Sequence, residues 1–281
     1  MDFVLLKSEQ RRSFDVDGFL VVPKVIGRES IERLIGMGDH ILEPFLKKFE
    51  VPNRPEYNHL DFRPGLLKNE ASLALVANSP IVPLIVQLLS PNIHLHSTTL
   101  IYKRTGDPTA QPFRRGWHRD IRIPKDLGHH QLPRVGIKVC FCLTDFHQPN
   151  SGLTLLARKS HLLEGPLEIP KAQVDPHKFE VCDLKLNAGD ALLFDNRIFH
   201  TASPNKSSRV SKVLIYGYAY RWMKPEVYLE RPAPALLAGI DPITHQLLGG
   251  YRDVDTPPWA LQQWTEFHGI HPEPVPWTVE V

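Results

Sequence analysis

Between Ile93 and Trp222 the chain repeats one pattern, short β-type runs broken by turn residues with no helical stretch between them. The runs are Ile93 to Lys103, Val135 to Leu143, Leu153 to Leu156, Phe179 to Leu186, Ala191 to Phe194 and Val213 to Trp222. In Ile93, Leu95, Ser97, Thr99 and Ile101 the pattern is alternation, which puts successive side chains on opposite faces of a strand. Regularly spaced strands of this kind close into a sandwich or barrel.

The flanks read differently. Phe14 to Pro23 predicts a turn at Asp17-Gly18 and a short buried strand. Ile31, Leu34, Ile35, Ile41, Leu42 and Phe45 recur at helical spacing from Glu29 to Lys48, with Gly36 and Gly38 weakening the middle. Residues 51–66 are rich in Pro, Asn, Asp and Arg and read as a loop. Ala71 to Leu89 is helical in period but must break near Pro80 and Pro83. The Pro-rich tail from Glu226 contains Asp241 to Gly249, which reads as a packed ending. With 42% hydrophobic residues in 281, the chain is expected to form a single domain over residues 1–281. Residues 1–92 give an N-terminal strand and helical support, 93–222 the β core and 223–281 a C-terminal extension. The fold class is mainly β with flanking helices.

Chemistry gathers on Trp117-His118-Arg119-Asp120, which follows the first alternating strand, and on Gly189-Asp190, His200 and Arg209. Two imidazoles and one carboxylate on one face of an octahedron leave positions open for a chelating co-substrate and O2, the arrangement of Fe(II) oxygenases. His-x-Asp alone is a weak signal in a chain with 14 histidines, and His59-Leu60-Asp61 matches it equally well. Context separates the two pairs: His59 lies in the expected loop, whereas His118 follows a strand that can aim it inward. For the third donor, His94, His96, His129, His130, His147, His161 and His177 compete with His200. The turn Asn187 to Asp190 and the buried run Ala191 to Phe194 place His200 at the start of a strand and favour it.

The three cysteines, Cys140, Cys142 and Cys182, fit no disulfide framework and read as buried apolar side chains in a reducing compartment. Cys140 and Cys142 should share one face of their strand. A net charge of +2 from 33 basic and 31 acidic residues gives no global field for nucleic acid or an anionic membrane. No signal-type or bilayer-length apolar run is present, and a cytoplasmic protein is expected.

These residues resemble the phytanoyl-CoA dioxygenase family of Fe(II)/2-oxoglutarate-dependent oxygenases. The resemblance rests on Asp17-Gly18-Phe19, Ile93 to Lys103, Trp117 to Asp120, Asn150-Ser151-Gly152 with Ser160-His161, Gly189-Asp190 through His200, Asn205, Ser207 and Arg209, and Gln246 to Gly249. It implies a double-stranded β-helix (jelly roll, cupin-like). It also implies His118, Asp120 and His200 as metal ligands and catalytic centre, and Arg209 as the anchor for the far carboxylate of 2-oxoglutarate. A guanidinium fork suits that carboxylate. Lys103 matches a position that contacts the co-substrate, and Phe141 one that often holds an aromatic beside it, though Phe141 reads equally well as barrel core. Asn205, Ser207 and Ser208 are expected to shape the turn before Arg209.

The implied cofactors are Fe(II), 2-oxoglutarate as co-substrate, and O2. The implied reaction oxidises an unactivated C–H bond of a small molecule, with release of succinate and CO2. Asp120 favours oxygenation over halogenation, since related halogenases replace this carboxylate to admit chloride. Arg104, Arg114, Arg115, Arg119 and Arg122 surround the motif, and Tyr57, His59 and Arg63 lie in the preceding loop. Arg115, Arg122, Tyr57 and Arg63 are the candidate substrate contacts, for a substrate carrying an anionic group, against the plainer reading of solvated loop charge. A specialised metabolite or amino-acid-derived compound is favoured, because Val279-Glu280-Val281 is no peroxisomal address. A catalytically silent metal-binding sensor, an acyl-CoA hydroxylase and a cupin enzyme independent of 2-oxoglutarate remain the alternatives. No nucleic-acid or membrane partner is expected, and no oligomeric state is implied.

Overall fold

The computed structural model describes residues 4–46, 59–105, 117–120, 133–163, 179–226, 229–230, 232, 234–237 and 239–249. Helix α1 (Ser8–Asp17) opens this part of the chain, where the sequence suggests no element. Its buried residue is Phe14, and one anchor makes no helical period. Gly18 ends it in the left-handed region at φ 88, donating its N–H to the Phe14 carbonyl, a conformation glycine adopts without steric cost. Strand β1 (Phe19–Val22) follows as expected.

Helix α2 (Arg28–Leu46) buries Leu34, Met37 and Leu42. Gly38 is tolerated there for a packing reason: a Cβ would lie 2.4 Å from the Tyr102 hydroxyl oxygen. That hydroxyl donates to Asp39 Oδ1 at 2.8 Å and ties α2 to the sheet. The prolines split the next helical region into α3 (Glu70–Leu73) and α4 (Val82–Leu88), as proline chemistry requires.

One expectation for residues 51–66 fails. His59–Phe62 forms strand β2 and pairs antiparallel with β3 (Ile93–Lys103), His59 opposite Lys103 and Asp61 opposite Ile101. The long strand β3 offers an edge whose backbone groups need partners, and this tertiary pairing overrides the loop-like composition.

The remaining strands are β4 (Gly136–Cys142), β5 (Thr154–Ala157), β6 (Val181–Cys182), β7 (Ala191–Asp195), β8 (His200–Ala202) and β9 (Ser211–Tyr220). They build one sheet in the order β1-β7-β4-β9-β3-β2 and a second in the order β6-β5-β8. The run expected over Phe179 to Leu186 contracts to the two residues of β6 plus a single bridge from Leu186 to Phe146. Both sheets contribute to one interior cluster, with Cys140, Cys142, Leu192, Phe194 and Val213 from the first and Leu156 and Cys182 from the second. This is the double-stranded β-helix, a jelly roll of the cupin type.

Alternation sorts the larger sheet's two faces. On β9, Val213 and Ile215 face the interior, while Leu214, Tyr216 and Tyr218 face the helices with Val139, Phe141, Leu193 and Leu100. Tyr218 donates its hydroxyl to the Val76 carbonyl at 2.8 Å, so a fully buried phenol keeps its hydrogen bond. Helices α5 (Pro234–Leu237) and α6 (Pro242–Leu247) end the described chain. Asp241 caps α6 through its Oδ1, 3.0 Å from the backbone N–H groups of both Ile243 and Thr244, and Leu247 is fully buried. The segment from Asp241 to Gly249 packs as its sequence suggests. Among the described residues no helix is long and apolar enough to cross a membrane.

Candidate metal centre

His118 and His200 exchange both backbone hydrogen bonds at 3.0 Å, which places their rings side by side with centroids 4.3 Å apart. Asp120 returns to the same spot because its N–H donates to the Asn196 carbonyl at 3.2 Å. One nitrogen or oxygen from each of His118, Asp120 and His200 lies within 4.8 Å of the others. His118 Nε2 is 3.9 Å from Asp120 Oδ1 and His200 Nε2 is 3.7 Å from Asp120 Oδ2.

His200 Nδ1 lies 3.0 Å from the Ile198 carbonyl oxygen. A carbonyl only accepts, so Nδ1 carries the proton and Nε2 turns a lone pair towards Asp120. Two imidazole nitrogens and a carboxylate converging without a second acidic group suit a divalent first-row metal with open positions. Among the described residues this is the cluster of His, Cys, Asp and Glu side chains able to hold a metal.

Charge around the carboxylate keeps it ionised. Burial pushes the Asp120 carboxyl up, but Lys138, His200, His118 and Arg63 together outweigh it and hold it down at about 2. Lys138 Nζ lies 3.8 Å from Asp120 Oδ2 and donates to Ser97 Oγ at 2.8 Å. Sequence reasoning passes over Lys138, yet a signal is there: it is a cation in the otherwise apolar stretch of β4 from Val135 to Leu143.

A cavity of about 250 Å³ adjoins Asp120, walled by His96, Lys138, Asn196, Trp222, Met223 and Glu226 among others. Asn196 is 6% exposed, and its Oδ1 has no hydrogen-bond partner among the described residues. Trp222 is 68% exposed and stacks on Tyr220 with ring centroids 5.9 Å apart.

The second His-x-Asp pair is committed elsewhere. Asp61 receives two hydrogen bonds from Arg63, at 3.0 and 2.9 Å, so its carboxylate clamps a guanidinium near Asp120. Arg119 is not part of a rim over the metal site. Alternation turns it away from His118 and Asp120, and its guanidinium lies 4.3 Å over the Phe199 ring and donates to the Ser160 carbonyl at 2.6 Å. Arg63 is the candidate substrate contact that the structure places near the site. Tyr57, Arg115 and Arg122 lie outside the described residues.

A family model described as Phytanoyl-CoA dioxygenase (PhyH) matches residues 14–213, a span that holds all three converging donors. The chain belongs to the phytanoyl-CoA dioxygenase family. Dioxygenase olcK of Penicillium canescens is 25% identical over 168 residues, 59% of this chain and 48% of that protein. The chain therefore spans about half the length of this curated relative. HygX from Streptomyces hygroscopicus, solved with nickel and 2-oxoglutarate bound, superposes with a TM-score of 0.59 at 17% identity, covering 79% of this chain and 90% of that one. AviO1 from Streptomyces viridochromogenes Tue57 gives 0.57 at 20% identity, over 77% and 96%. SnoK, a non-heme alpha ketoglutarate dependent carbocyclase from nogalamycin biosynthesis, gives 0.59 at 19% identity, over 79% and 88%. At these identities the superpositions show a shared fold.

The phytanoyl-CoA dioxygenase family resemblance also names three co-substrate positions, and the structure treats them unequally. Lys103 points into the barrel and is 5% exposed. Phe141 is corrected: it faces the helix layer, packs edge-on against Tyr216 with centroids 5.7 Å apart, and belongs to that core rather than to the interior. Strand parity decides this, because Lys138, Cys140 and Cys142 take the interior face of β4. Arg209 lies two residues before Ser211, which opens β9 opposite Lys103; its side chain is 54% exposed and pairs with Asp145 at 3.2 Å. Asn205 shapes the preceding turn as expected, accepting from the Ser207 N–H at 3.0 Å and donating to the Arg209 carbonyl at 2.8 Å.

Proposed function

We infer that the protein is an Fe(II)/2-oxoglutarate-dependent oxygenase that oxidises an unactivated C–H bond of a small specialised metabolite or amino-acid-derived compound. The convergence of His118, Asp120 and His200 within 4.8 Å carries this reading. In it the three residues hold Fe(II), which with 2-oxoglutarate and O2 supplies the C–H oxidation while succinate and CO2 leave. The Ile198 carbonyl orients the His200 ring, and Lys138 keeps Asp120 ionised.

The cavity beside Asp120 is assigned to the substrate. Its buried Asn196 Oδ1 needs a donor, because an unpaired buried acceptor costs about 1 to 3 kcal/mol. Trp222 offers a flat face for a ring or alkyl body. A polar molecule with hydroxyl or amine donors fits this lining. HygX has been solved with hygromycin B bound and SnoN with nogalamycin RO, which supports a natural-product substrate. Arg63, held by Asp61, supplies a cation at the mouth, and Tyr57, Arg115 and Arg122 stay candidates for the same role. The three free, buried cysteines accord with a cytoplasmic setting.

The test is succinate formation from 2-oxoglutarate, stimulated by Fe(II) and by members of a metabolite panel. His200→Ala should abolish both metal binding and succinate formation. Unchanged succinate yield in that variant would remove the metal assignment. Substrate affinity unchanged by charge reversal at Arg63, Arg115 and Arg122 would remove the basic mouth.

A further inference from the structure

Behind the metal donors stands a second triplet, set on the opposite face of the same two extended segments. His118 and His200 form an isolated antiparallel bridge, so Arg119 falls opposite Phe199, and alternation turns both away from the donors. The Arg119 guanidinium lies 4.3 Å over the Phe199 ring, within the range of a cation–π contact. Trp117 packs on the same cluster of Ala157 and Phe199. The neighbours of His118 on both sides, and the residue before His200, therefore meet behind the site.

Ser160 ties them together. Its hydroxyl oxygen accepts from the Phe199 N–H at 2.8 Å, and its carbonyl oxygen accepts from the Arg119 guanidinium at 2.6 Å. Phe199 stands just before β8, and its own carbonyl accepts from the Ala157 N–H at 2.9 Å. The serine is fully buried in a short turn, Ser160–Leu162, entered through Lys159 in the left-handed region at φ 65. That turn is fixed to the end of α1: the Lys159 N–H donates to the Asp17 carbonyl at 3.2 Å, and His161 Nε2 to the Asp15 carbonyl at 2.9 Å.

Stability alone does not explain an arginine here. Its Nε is buried without a hydrogen-bond partner among the described residues, and an apolar side chain would pack on Phe199 without leaving a polar atom unmet. What only the guanidinium does is reach the ring and the Ser160 carbonyl at once. Resting on the proposed function, we propose that Ser160 and Arg119 are positioning residues for the metal donors. They hold the segment Trp117 to Asp120 against Phe199, and so fix how His118, Asp120 and His200 converge.

Metal-free protein titrated with Co(II) tests this without turnover. Calorimetry reads the affinity, and visible absorption reads the geometry of the donors. Ser160→Ala and Arg119→Met should each weaken Co(II) about 10-fold, the size of loss seen when the groups that orient metal ligands are removed, and should alter the absorption bands. Arg119→Lys should recover part of the loss. Because both residues act on one contact, the double variant should lose less than the product of the two single losses. Phe141→Leu, in the helix-side core, supplies the control: it should lose stability and keep the Co(II) affinity and spectrum. Wild-type affinity and spectrum in Ser160→Ala and Arg119→Met, whatever their stability, would overturn the proposal and leave these residues as braces of the fold. Should Arg119→Met not fold, Ser160→Ala, which removes a single oxygen, and Arg119→Lys decide it. Co(II) binding that His200→Ala leaves unchanged would instead overturn the metal reading beneath it.

Discussion

Lys138 Nζ and Asp120 Oδ2 face each other at 3.8 Å across the wall of the cavity beside Asp120. A carboxylate that converges with two imidazoles is thus paired with a fixed cation. Lys138 is the largest influence opposing the effect of burial on this carboxyl. Lys138→Met should therefore raise the Asp120 carboxyl from about 2 towards its unfolded value of about 3.9. The sign for stability follows: the folded value is depressed, so the contribution is complete above about pH 4 and disappears as pH falls through the folded value. In the variant it should disappear at a higher pH. Carboxyl NMR titration of metal-free protein measures the shift directly, and an Asp120 titration unmoved by the substitution would contradict the pairing.

Gly217 makes room for that arrangement. A Cβ at this position would lie 2.3 Å from Ser97 Oγ and 3.1 Å from Lys138 Nζ. Gly217→Ala must displace one or both, and overpacking of this kind costs about 1 to 3 kcal/mol. We expect a lowered thermal midpoint together with a raised Asp120 titration, which joins stability to the site in one variant. A fully stable variant with an unshifted carboxyl would show that the cation has another resting place.

The convergence of His118, Asp120 and His200 was legible because each lies at a junction that the sequence marks: His118 after a strand, Asp120 two residues on, His200 after a turn and a buried run. The eleven residues of β3 were legible from the alternation of Ile93, Leu95, Ser97, Thr99 and Ile101, although a register shift between Leu95 and Ser97 interrupts the strand. What failed depended on partners far along the chain. Strand β2 exists because β3 offers it an edge, and His59 to Phe62 carry too little pattern to announce that. Phe141 shows the same limit in reverse: its strand was expected, but its face was set by the parity of Cys140 and Cys142.

Asp195 joins the first helix, the barrel and the loop that carries Asn196. Its fully buried carboxylate accepts from Arg134 Nε at 2.8 Å and from Arg197 Nε and Nη2 at 2.9 and 2.7 Å. Burial pushes this carboxyl up, but Arg197 and Arg134 outweigh it and hold it below the ordinary range. Asp195→Asn leaves two largely buried guanidinium groups short of a counter-charge and should cost about 3 kcal/mol. Because the folded value is depressed, the wild-type advantage is complete above about pH 4 and shrinks on acidification below it. Urea unfolding of both proteins at neutral and acid pH tests this, and a gap that widens in acid would have the wrong sign.

Phe141 separates support from chemistry. It is fully buried against Tyr216 on the helix side of β4, with the sheet between it and the metal donors. Phe141→Leu keeps an apolar side chain of reduced volume and loses the edge-on aromatic contact, so it should cost about 1 to 2 kcal/mol. Affinity of the folded protein for Mn(II) and for 2-oxoglutarate should be unchanged. A selective loss of 2-oxoglutarate binding in Phe141→Leu would put the ring back beside the co-substrate and reverse the assignment of faces on β4.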